Sequence, residues 1–271
     1  MNISRLIPLV LAGVSGPAVQ AVTLPPYPSQ VALPGTSVAA QPHLAGTVVE
    51  DLLTPFAYRV SAHSSNSGVT LDLTGTVQSQ VVRAVDGTFD FYWRVLPDAQ
   101  YERRDCSAHD PPQCIISTQT SGPNGPPLSD FHVGSFNVPE VRADWRSDGP
   151  GEAAPRMGGM DFRPGVNNFQ FGEVVGDPPE FYTNSTLRTG IDSYFLFIDT
   201  DARAYSKSGV FSLSTQDDLY LGGDGRAFGG RSESYATFAP ALIPEPQTWA
   251  LMLAGLASLA GLAGLPKRRR E

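Results

Sequence analysis

The stretch GTFDFYWRV, residues 87–95, alternates with a period of two: Phe89, Phe91, Trp93 and Val95 fall on one side, Asp90, Tyr92 and Arg94 on the other. Successive side chains of a strand point to opposite faces, so the pattern predicts a half-buried antiparallel β-strand. VTLDL (69–73), CIISTQT (114–120), FHVGSFNV (131–138), IDSYFLFID (191–199) and GVFSLS (209–214) read similarly, with Gly, Pro, Asn and Asp clusters between them. IDSYFLFID is the most continuously apolar and is expected to be a central core strand. With 27 Gly and 24 Pro among 271 residues, short strands and turns are favoured over long helices. The expectation is an all-β body over residues 22–242, an antiparallel β-sandwich of jelly-roll-like kind. The Pro- and Gly-rich stretches 97–130 and 147–165 are expected to be long loops.

Charge narrows the partners. The region between 22 and 243 holds 14 basic and 25 acidic residues, with Lys207 its only lysine. Such a body repels polyanions, which argues against nucleic acid. Basic charge collects at the chain ends instead. Arg5, the apolar run LIPLVLAGV (6–14) and the small-residue site Val19-Gln20-Ala21 read as an export signal over residues 1–21, cut after Ala21. Cys106 and Cys114 are the only cysteines, and an even pair in an exported chain points to a disulfide.

The C-terminal stretch IPEPQTWALMLAGLASLAGLAGLPKRRRE (243–271) has a different character. Residues 249–265 carry no charge, and as a helix they span about 25 Å, near the lower limit for a bilayer core of about 30 Å. Trp249 suits one interface. Lys267, Arg268, Arg269 and Arg270 at the other end stop transfer on the cytoplasmic side, leaving the body outside. Pro244-Glu245-Pro246 precedes the helix as an extended segment displaying a carboxylate.

Pro-Glu-Pro, a Thr-Trp-Ala-Leu-Met-Leu-Ala-Gly-Leu start to the helix and a terminal Arg cluster together resemble the PEP-CTERM sorting signal of Gram-negative bacteria. The resemblance covers the last 29 residues or so. VEDLLTPF, GTVQSQVVRAVDGTFDFYWRV and DSYFLFIDTDARAY also resemble bodies found in such proteins, and bring no known activity with them. The resemblance implies an exosortase as processing partner and transient membrane contact through the helix. It further implies passage through the inner membrane with a periplasmic body, then delivery to the outer surface or an extracellular polysaccharide matrix.

Linear motifs for chemistry are sparse. His43, His63, His109 and His132 are scattered, and no metalloprotease HExxH or G-x-S-x-G nucleophile elbow occurs. A Ser/His/Asp set assembled from distant positions leaves no such trace. The acids Asp72, Asp90, Asp192 and Asp199, placed on predicted strands, form no recognisable glycosidase pair. Asp199 with Asp201, and Asp217 and Asp218 with Asp224, offer hard oxygen ligands for calcium but match no EF-hand pattern. No metal site and no cofactor are therefore assigned, and the body is expected to be non-enzymatic. Two alternatives stand beside that reading. One is a carbohydrate-binding module for a matrix polysaccharide, using Tyr92, Trp145, Tyr182 or Tyr220 as stacking surfaces; the other is a secreted hydrolase.

Overall fold

The computed structural model describes residues 21–64, 67–107, 113–120, 128–136, 141–171, 187–217 and 228–241. They form fourteen strands and a single 3-10 turn, Pro42–Leu44. The strands are β1 (Val22–Thr23), β2 (Val31–Ala32), β3 (Thr47–Ser64), β4 (Ser67–Arg83), β5 (Phe89–Ser107), β6 (Cys114–Thr120) and β7 (Asp130–Gly134). Then come β8 (Arg142–Trp145), β9 (Met157–Met160), β10 (Val166–Gln170), β11 (Leu196–Asp199), β12 (Tyr205–Asp217), β13 (Phe228–Arg231) and β14 (Tyr235–Pro240). All pairings between them are antiparallel, along the path β1-β8-β11-β5-β4-β3-β13-β12-β7-β10-β9-β2, with β14 beside β12 and β6 beside β5.

This hydrogen-bonded path folds back on itself as a sandwich. β5 and β7 are far apart along it, yet Trp93 of β5 lies 6.3 Å, ring to ring, from Phe131 of β7. Phe136 stands edge-on to both Phe91 (5.3 Å) and Trp93 (5.6 Å). The core face of β5 is the one its alternation predicts, with Phe91, Trp93 and Val95 fully buried. Phe131 and Val133 of β7, Phe211 and Leu213 of β12, and Phe169 of β10 face it. Each such side chain contributes about 1.5–3 kcal/mol by leaving water, and that sum drives the two layers together.

Several expected boundaries move. Strand 131–138 stops at Gly134, because Ser135 turns into the left-handed region (φ 77°) and breaks the ladder. The expected strand 191–199 is regular only over Leu196–Asp199, although that piece is central and wholly buried. Before it, Ser193 Oγ accepts the Val95 N–H (2.9 Å) and Arg94 grips Asp192, so side chains take over from the ladder. The expected loop 97–130 is wrong over much of its length: β5 continues through Pro97 to Ser107, and β6 follows. Pro97 is tolerated because it lies opposite Gly75, where the β4–β5 register shifts. Within 147–165, Met157–Met160 forms β9. The consecutive strands β3, β4, β5 and β6 pair as a meander, whereas a jelly roll interleaves strands distant in sequence.

Candidate functional site

The outer face of the β12–β7–β10 layer carries an unusual row of buried polar side chains. β7 alternates Phe131 and Val133 inward with Asp130 and His132 outward. Across the ladders His132 sits opposite Ser212 of β12 and Asn168 of β10, while Ser214 sits opposite Asp130. Diagonal neighbours on one sheet face lie within reach of a long side chain, and here His132 Nε2 is 2.9 Å from Ser214 Oγ. The other ring nitrogen, Nδ1, lies 3.4 Å from Asp161 Oδ2 but makes no hydrogen bond to it, and stays buried without a partner. Asp161 lies in the turn after β9, where Arg163 donates to its carboxylate from both backbone and guanidinium. Ser214, His132 and Asp161 thus stand in a row of hydroxyl, imidazole and carboxylate.

Electrostatics assign the protonation states. Burial pushes His132 down to about 4, and Arg231 and Arg163 add to that against the opposing pull of Asp161. The ring is therefore neutral at neutral pH. Burial alone would raise Asp161, but the bonds from Arg163 outweigh it and hold the carboxyl below the usual range, ionised. A neutral ring carries one N–H; placed on Nδ1 it faces that carboxylate, leaving Nε2 to accept the Ser214 hydroxyl. Asp130 Oδ2 competes for the same hydroxyl at 3.5 Å, a markedly longer contact. Asp130 Oδ1 accepts from Asn168 (3.1 Å).

A second polar group lies on the outer face of β4, β5, β11 and β8. Asp90 is fully buried; its Oδ1 accepts the Thr200 N–H at 3.3 Å, and its Oδ2 has no protein partner. Burial first, then the neighbouring Asp199, push Asp90 up to about 7. Asp199 is itself raised by burial, with Arg142 (3.2 Å) and His43 (3.6 Å) opposing the rise. Tyr92, between Phe195 (6.4 Å) and Phe197 (5.3 Å), borders an open cleft of about 280 Å³ with Leu44, Val82 and Arg146. The segment over this face is anchored where Gly35 N–H donates to Asp144 Oδ1 (2.9 Å) and Trp145 Nε1–H to the Leu33 carbonyl (3.1 Å). Asp90 is sealed from solvent, so the Asp90/Asp199 pair does not present two carboxyls to a sugar.

Cys106 and Cys114 are directly opposite across β5 and β6 and form a disulfide. Of the calcium candidates, Asp199 is paired with Arg142, Asp201 is exposed and Asp217 ends β12; Asp218 and Asp224 lie outside the described residues. Among the described residues no three His, Cys, Asp or Glu side chains converge as a metal-binding set. Tyr92 is buried rather than offered as a stacking surface, and Trp145 is half-buried against Tyr194 (4.9 Å). Tyr182 and Tyr220 lie outside the described residues. So do residues 1–20 of the expected export signal, although Ala21 is within the described residues, and the tail residues Pro244, Glu245, Pro246, Trp249, Lys267, Arg268, Arg269 and Arg270. Among the described residues no helix is long and apolar enough to cross a membrane.

Sequence reasoning did not find the Ser214–His132–Asp161 row. Its one trace is a histidine at a polar position of an alternating strand, which says nothing of the serine and aspartate brought to it from other elements. No known protein family, curated protein or solved structure matches the chain.

Proposed function

We propose that the chain is an exported cell-surface or extracellular-matrix protein, addressed by its C-terminal segment and processed by an exosortase. The observation that carries this reading is the order of parts in residues 243–271: the Pro244-Glu245-Pro246 triplet, the uncharged run 249–265, and the basic cluster 267–270. In it, residues 1–21 direct export and are cut after Ala21. The helix 249–265 then holds the body on the periplasmic side of the inner membrane, because the basic cluster stays in the cytoplasm. Cleavage near the triplet frees the body from the membrane. The Cys106–Cys114 disulfide supports an oxidising destination, since such bonds persist in periplasmic and extracellular compartments.

Intact-mass analysis of the protein recovered from cells with an active exosortase tests the reading. The expected species begins at residue 22 and ends upstream of Trp249. A mature species that retains Trp249–Glu271 in such cells overturns it.

A further inference from the structure

We propose that Ser214 is a nucleophile, activated by His132 as general base, that cleaves short-chain acyl esters. The geometry supplies each role: a serine oxygen 2.9 Å from an imidazole nitrogen, and a carboxylate 3.4 Å from the opposite nitrogen of the same ring. The proposal concerns the chemistry of the body and is independent of its destination. The expectation of a non-enzymatic body rested on missing linear motifs, and three residues from β7, β12 and the turn after β9 make no linear motif.

Each step balances. Ser214 Oγ bonds to the ester carbonyl carbon as its proton passes to His132 Nε2. The tetrahedral anion collapses, the bond to the alcohol oxygen breaks, and the Nε2 proton leaves with the alkoxide. Water then attacks the acyl-serine and gives a proton to Nε2; the Oγ–acyl bond breaks, Oγ recovers the proton, and the carboxylic acid departs. Asp161 stays ionised throughout as a positioning residue, its carboxylate on the Nδ1 side of the ring. Arg231, opposite Ser214 in the β12–β13 ladder, donates to Ser212 Oγ at 3.4 Å and adds positive charge to the neighbourhood of the ring.

Burial bears on the substrate class. Ser214 is 4 % exposed and His132 6 %, which favours a slender acyl group over a bulky one. The groups facing the ring are Asp161 and Arg163 from the turn after β9, Arg231 from β13, Ser214 from β12 and Asp130 on its own strand. With His132 neutral down to about 4, reactivity should be flat through neutral pH and fall only in acid.

The probe is a small-alkyl fluorophosphonate applied to the folded protein, read by intact mass and peptide mapping. Wild type is expected to gain one adduct per chain, on Ser214, and Ser214→Ala none. His132→Gln keeps a polar side chain and should slow labelling at least about 100-fold, by loss of the base. Asp161→Asn should shift the acid limb of the labelling profile to lower pH, since it removes the anion that raises the ring; a purely structural role would leave that limb in place. Unfolding wild type in urea should abolish labelling, which keeps the test decisive if a variant does not fold. Failure of folded wild type to label, equal labelling of the unfolded chain, or labelling of folded His132→Gln at the wild-type rate overturns the proposal.

Discussion

Trp93 and Thr237 tie the two layers of the sandwich together: the indole Nε1–H of Trp93 donates to Thr237 Oγ1 at 2.9 Å, and the Thr237 hydroxyl donates on to Ser79 Oγ at 3.0 Å. All three side chains are buried, on β5, β14 and β4 respectively. A large aromatic enters such a core well only if its one polar atom finds a partner, and Thr237 is that partner. Trp93→Phe keeps an aromatic ring and removes the donor. It should cost about 2 kcal/mol, the sum of a lost buried hydrogen bond and partial loss of volume. Chemical denaturation should show a lower midpoint at unchanged m-value.

Gly35 is a second structural point where one atom decides. Its φ of +80° lies in the left-handed region, and a Cβ there would run into the indole of Trp145. Gly35→Ala should therefore cost at least about 2 kcal/mol through strain and displacement of that ring. Tryptophan fluorescence should report the altered Trp145 environment together with the lower denaturation midpoint.

Asp90 should make the fold less stable as pH rises. Its folded-state value is about 7 against an ordinary 3.8, so between these the native state keeps a proton that the unfolded chain has released. The unfolded state then binds fewer protons, and stability falls from about pH 4 to about pH 7 before levelling. Asp144, raised by burial to about 6, adds a slope of the same sign. Asp90→Asn mimics the protonated acid. It should flatten this part of the profile, so that its stability relative to wild type improves across the interval in denaturation series at fixed ionic strength. A parallel profile in the variant would show that Asp90 does not hold its proton.

The disulfide should matter locally. Cys106 and Cys114 are eight residues apart, and closing so short a loop is worth about 2.5 kcal/mol at most by chain entropy. The β5–β6 ladder already aligns the same residues from Gln100↔Thr120 to Cys106↔Cys114, which reduces that gain. Replacing both cysteines with Ala should lower stability by no more than about 2 kcal/mol. Hydrogen exchange should accelerate in β6 and the end of β5 while the amides around Trp93 stay protected.

Much of the fold was legible as alternation. Phe89, Phe91, Trp93 and Val95 declare the buried face of β5 because a strand half in water needs one apolar side. CIISTQT is β6 as read. The pattern fades where partners other than water occupy the outer face. Residues 97–107 look like loop, with a proline and many charges, yet Arg103 and Asp105 satisfy each other and the Gly75 register shift receives Pro97. Residues 191–195 look like strand, yet Arg94 and Ser193 bonds hold them irregular. These outcomes depend on groups far away in the chain.

The same division separates the C-terminal tail from the buried polar row. By itself the sequence determined the period-two body, the pair of cysteines and the tail 243–271, because each is a local property: alternation, composition, or contiguous order. Only the tertiary structure decided that His132, Ser214 and Asp161 meet. Their separation along the chain is bridged by the β7–β12 register and by the turn after β9, and ladder register is set by which faces bury their apolar side chains. The structure likewise decided that Tyr92 and Asp90, polar-face residues of the opening strand, are buried, since a second segment packs over that face.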